Sequence, residues 1–141
     1  MQRKGMVDAL KQARSVLRRG GILVDARPDS RVVAHVEHRG QRVATIRTQA
    51  LELRDDAASD RAVATVKRER LLRRVRAGRL WHRMPFANRA EFDAYLREHL
   101  RFVHRGTWTA AWRAHQREWQ DDPLDLVRAI RYEVLETVPE R

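Results

Sequence analysis

The chain has 141 residues, 43% of them hydrophobic, with 30 Lys plus Arg against 19 Asp plus Glu, a net charge of +11 and no Cys. That length suits one domain, residues 1–141, with a real core, since a chain of this size buries roughly two-thirds of its unfolded surface. The lack of Cys excludes a disulfide scaffold, thiolate metal sites and a Cys nucleophile. The N-terminus runs into an amphipathic segment and no apolar run exceeds a few residues, so a cytoplasmic protein without membrane contact is expected.

In chain order, Met6, Leu10, Ala13 and Leu17 recur at helical spacing, and Arg18-Arg19 then Gly20-Gly21 supply a cationic last turn and a glycine stop. Ile22-Leu23-Val24 is a short unbroken β-prone run of the kind covered on both faces, closed by Pro28. Arg31 to Glu37 and Gln41 to Thr48 are rich in β-branched residues and flank His38-Arg39-Gly40, which predicts a hairpin. Ala57 to Ala77 reads as helix stopped by Gly78, although its apolar face breaks between Val66 and Leu71.

Leu80 to Phe86 reads as a further strand. Asn88 caps the next helix with Glu91 at the reciprocal position, and Phe92, Tyr95, Leu96 and Leu100 form its buried side. Thr107 is placed to cap a helix from Trp108 to Trp119. Asp122-Pro123 opens a last helix with Leu124, Val127, Ile130, Val134 and Val138 as its stripe. The expected class is α/β or α+β: a small mixed sheet of about four strands flanked by four to five helices.

Charge is uneven along the chain. Residues 118–141 hold seven acids against three arginines, a net of −4, so the first 117 residues carry 27 basic and 12 acidic groups, a net of +15. An acidic end of this kind docks on a basic body within one chain or across a dimer. Within Lys67 to Arg76 the only acid is Glu69, and Lys67, Arg70, Arg73 and Arg74 gather on one side of the helix predicted there. That side reads either as a phosphate contact for nucleic acid or as a solvated face in a chain whose cations are 27 Arg and 3 Lys. Trp108, Trp112 and Trp119 share a narrow band of the helix predicted for them and read as core or subunit interface more readily than as a base-stacking platform.

His35 and His38 point to opposite faces of a strand, and His99 and His104 turn away from each other, so no metal set is expected. No hydroxyl sits in a glycine-flanked elbow. Gly20-Gly21 follows a helix and precedes a strand, the reverse of the order that cradles phosphates.

The run Asp8-Ala9-Leu10-Lys11-Gln12-Ala13-Arg14-Ser15-Val16-Leu17-Arg18-Arg19-Gly20-Gly21-Ile22-Leu23-Val24-Asp25 resembles the C-terminal part of class I S-adenosylmethionine-dependent methyltransferases, where a helix ending in a proline-glycine-glycine pattern enters the fifth strand. Arg19 stands where that pattern has proline, and the likeness covers about twenty residues, Asp8 to Pro28. It implies a truncated Rossmann-like sheet with the Arg31–Thr48 hairpin beside the Ile22–Ala26 strand. The family's cofactor-binding glycine loop and acidic residue would lie upstream of Met6. No residue here inherits a catalytic or cofactor-binding role, and no cofactor is expected unless another chain, a separate methyltransferase subunit, completes the site. Loss of the neighbouring strand leaves Ile22 to Ala26 with an open edge, which predicts a homodimer by edge pairing or through the tryptophan helix. The functional expectation is a methyltransferase-like protein without activity of its own, acting in binding or assembly, with a basic nucleic-acid-binding module and an enzyme subunit as the alternatives. Asp25, Arg27 and Glu37 are the polar groups near the strand end.

Overall fold

The computed structural model describes residues 3–46, 50–99, 107–108, 113 and 117–139. Among the described residues three helices and six strands follow in the order α1 (Arg3–Ser15), β1 (Ile22–Pro28), β2 (Ala34–His38), β3 (Gln41–Ile46), α2 (Ala50–Arg68), β4 (Leu72–Phe86), α3 (Arg89–Glu98), β5 (Thr107–Trp108) and β6 (Leu124–Thr137). The α+β class expected from the sequence stands, with the balance moved toward strand. Pairing of β1 with β6, β2 with β3, β2 with β6 and β3 with β5 is antiparallel, and β4 also pairs with β6. The chain divides into two compact units: Met1–Pro28 with Arg54–Leu80 and Ile130–Arg141, and Asp29–Leu53 with Trp81–Ala129.

In the first unit, β1 lies against the Ile130–Glu136 stretch of β6, so the partner of β1 is β6 and not the hairpin implied by the methyltransferase resemblance. The core is Leu10 of α1, Ala62, Val63 and Val66 of α2, Leu72 of β4 and Leu135 of β6, with Leu23 and Leu71 packed beside it. Burial alternates along β1, which leaves Ile22 and Val24 more than half exposed; the apolar run is covered on one face only. Helix α1 ends at Ser15, short of the Arg18-Arg19 last turn expected; Gly20, at φ 73°, belongs to the turn that follows, and its N–H donates to Thr137 Oγ1 at 3.0 Å.

Helix α2 begins earlier than predicted and ends at Arg68, about nine residues short of the Ala77 expected. The terminator is Arg70, in the left-handed region at φ 56°. The Leu71 N–H donates to Val66 O and the Arg70 N–H to Lys67 O, both at 3.0 Å. This is the Schellman closure, with Leu71 packed beside the cluster that holds Val66. An arginine at the position glycine usually takes hid this stop from the sequence. Gly78 is instead inside β4, where a Cβ would come within 3.0 Å of the Tyr132 ring.

In the second unit, β2 and β3 form the predicted hairpin through Arg39 and Gly40, at φ 51° and 76°, the paired positive angles of a type I′ turn. The predicted cap is present: Asn88 Oδ1 accepts from Glu91 N at 3.0 Å, while the Glu91 carboxylate reaches back one residue past the cap and accepts from Ala87 N. Phe92 is buried on Phe86, with Tyr95 and Leu96 packed against the same cluster; Leu100 lies outside the described residues. Thr107–Trp108 pairs with β3 through Ala44 and Thr45, so Thr107 is a strand residue and caps no helix.

The last predicted helix is the 14-residue strand β6. Pro123 precedes a strand here, and the Asp122 N–H closes a turn on Trp119 O at 3.0 Å. A run holding Val127, Ile130 and Val134 suits a pleated surface, and cross-strand neighbours on β1 and β2 supply the ladder that a helix would have made locally.

Candidate nucleic-acid interface

The four cations placed on one helix face do not share one. Lys67 ends α2, Arg70 sits in the turn, and Arg73 and Arg74 open β4. Adjacent residues of a strand point to opposite sides, and each of these two arginines finds an acid on β6. Arg73 Nη2 lies 2.7 Å from Glu136 Oε2, and Arg74 Nη1 lies 3.7 Å from Glu133 Oε1. Lys67 Nζ also reaches Glu133, at 3.0 Å. The acidic end of the chain thus docks on the basic segment within one chain. The side chains of Arg70 and Arg76 make no ion pair among the described residues.

Strand β4 differs from the others in its exposure. Residues 73–77 and 79–83 are exposed at every position, so both faces of the strand meet solvent. Within the first unit this stretch carries Arg73, Arg74, Arg76 and Arg79 and no acid. Together with Lys67, Arg68 and Arg70 it makes seven cations beside three carboxylates, Glu69, Glu133 and Glu136, an excess of four. Arg76 and Arg79 stand out only once 72–80 is known to be extended; as a helix, the same residues spread around the axis.

The tryptophan band is not formed as predicted. Trp108 belongs to β5, Trp112 lies outside the described residues, and Trp119 follows the helical residues 117–118. Trp119 stacks on His38 at 5.4 Å, and Arg39 sits 5.9 Å from its ring centre. His38 is buried, with Nε2 2.8 Å from Asp122 Oδ2, and Arg39 Nη2 reaches the same oxygen at 2.9 Å. The bond from His38, with Arg39 beside it, holds the Asp122 carboxyl below its usual range.

The second unit has one more charged cluster. His35 Nε2 lies 2.8 Å from Glu37 Oε1, Arg83 Nη1 lies 2.7 Å from both Glu37 Oε2 and Asp125 Oδ2, and Trp81 leans on the His35 ring at 5.9 Å. Arg83, and after it His35, hold Glu37 below the ordinary carboxylate value of 4.5. A carboxylate whose folded pKa is depressed stabilises the fold above its unfolded value, and that contribution is lost as pH falls through the folded one. Urea midpoints are therefore expected to drop as pH falls through and below the ordinary carboxylate range, with a shallower drop in Glu37→Gln and in Asp122→Asn. An unchanged slope in both variants would remove these two groups from the acid response.

A cavity of about 360 Å³ lies where Arg14, Arg18 and Arg19 approach Thr137 and Pro139. Two of its polar groups are engaged within the chain: Arg14 Nε donates to Leu71 O at 3.1 Å, and Thr137 Oγ1 accepts from Gly20 N. Among the described residues no three His, Cys, Asp or Glu gather as a metal set, and no helix is long and apolar enough to cross a membrane. No family model, curated protein or solved structure matches the chain.

Proposed function

We propose that this protein binds the phosphate backbone of a nucleic acid through Lys67 to Arg79. The observation that carries the reading is the Arg73–Leu80 stretch of β4, exposed on both faces, with four arginines and no acid. An exposed strand normally hides one apolar face; one that shows arginine on both sides presents cations at the 3.3 Å rise of an extended chain, suited to a linear polyanion. The ion pairs with Glu133 and Glu136 hold Arg73 and Arg74 in place while leaving both more than half exposed.

The test is fluorescence anisotropy with a labelled oligonucleotide over a salt series. Binding should weaken steeply with salt, and Arg70→Gly with Arg76→Gln should lower the slope of log K against log salt by about 2, one unit per lost contact. Glycine suits the positive φ at position 70, so the pair removes charge and spares the helix terminus. Absence of binding at low salt, or a slope indifferent to the double substitution, would refute the proposal.

A further inference from the structure

Strand β1 ends the strand order of its sheet, so one side of it has no described neighbour. The hydrogen-bond phase says which groups that side presents. The Thr137 N–H donates to Gly21 O at 3.1 Å, which makes the odd-numbered residues of β1 the ones bonded to β6. Amide N–H and C=O groups of Ile22, Val24 and Ala26 therefore point outward, and Pro28 offers a carbonyl only. Ile22 and Val24 are 58% and 56% exposed, and Ala26 and Pro28 continue the same apolar line.

The opposite face of β1 carries two groups whose bonding is incomplete. Asp25 Oδ2 and Arg27 Nε and Nη1 are buried without hydrogen-bond partners, although Arg27 Nη2 lies 2.9 Å from that Asp25 oxygen and 3.3 Å from Asp60 Oδ1. One strand thus holds an orphaned acceptor and orphaned donors two residues apart, beside an open edge.

We infer that β1 pairs antiparallel with β1 of a second copy, about a two-fold axis at Ala26. That register sets Asp25 of each chain opposite Arg27 of the other, so a carboxylate faces a guanidinium whose Nε and Nη1 have no acceptor, its Nη2 being held by Asp25 and Asp60 of its own chain. It sets Ala26 against Ala26 with two reciprocal bonds and directs each Val24 N–H to the other chain's Pro28 carbonyl. Moving the axis to Asp25 opposes two carboxylates, and moving it to Val24 opposes Asp25 with Leu23. Only the Ala26 register is complementary in charge, and this decides for a second copy over an unrelated strand.

Sedimentation over a concentration series, with amide exchange followed by residue on the same samples, tests this. Wild type should pass from monomer to dimer, and exchange at Val24 and Ala26 should slow as the dimer forms. Asp25→Arg alone and Arg27→Asp alone, each folded by circular dichroism, should each weaken the dimer about tenfold or more, while their mixture restores it. Ala26→Pro removes an outward donor only and should also weaken the dimer. A monomer at every concentration, or a dimer that leaves Val24 and Ala26 unprotected, would overturn the inference whether or not the charge variants fold.

Discussion

Leu135→Ala should cost about 3 kcal/mol in urea denaturation, within the roughly 2–5 kcal/mol range for emptying a buried leucine site. Leu135 is fully buried and sits in one cluster with Leu10 of α1, Val63 and Val66 of α2 and Leu72 of β4, with Leu23 as its cross-strand partner. Four elements close on that side chain, so little of the space can collapse after truncation. Its neighbour Val134 points to the other face and is only partly buried, and Val134→Ala should cost about 1 kcal/mol or less. The contrast separates two descriptions of the same residues. A helix over 124–138 would put Val134 at the centre of its apolar stripe and Leu135 at the edge beside Leu124, so the gap between the two costs would close or reverse. Equal costs, or a larger one at Val134, would count against β6 as a strand.

Phe92→Ala is expected to be the most damaging substitution in the second unit, at about 3–5 kcal/mol. Phe92 is fully buried and meets Phe86 edge to face at 5.2 Å; Phe86 in turn lies 5.2 Å from Tyr95. The cost combines lost apolar burial with lost aromatic contact, which itself contributes about 0.5–1.5 kcal/mol per pair. Phe92→Leu keeps most of the volume and should recover more than half of the loss. A Phe92→Ala variant within about 1 kcal/mol of wild type would mean that α3 is not anchored through this side chain.

The functional proposals rest on different parts of the first unit. Charge removal at Arg70 and Arg76 leaves β1 untouched, and the Ala26 and Asp25 variants leave β4 untouched, so phosphate binding and self-association fail independently.

Elements whose signals are local were legible in the sequence. The periodicity of α1, the β2–β3 hairpin with Gly40 at a positive φ, and the Asn88–Glu91 cap with Phe92 behind it all depend on residues within four or five positions of each other. The complementary charge of the acidic C-terminal stretch and the basic body was legible as well, because charge is a property of composition; which acid meets which base was not. What the tertiary structure alone decided is the state of 69–80 and 124–137. Both carry apolar residues at spacings that serve a helix or a strand, and neither has a glycine or proline where the ambiguity needed resolving. Arg70 takes a left-handed conformation held by two backbone bonds and by Leu71 in the core, and β6 is extended because β1 and β2 supply its ladder on either part of its length. The basic site changed with them: only as a strand does Arg73–Arg79 become an exposed row of cations. Partners distant in sequence set that outcome, through hydrogen bonds that no window of neighbouring residues contains.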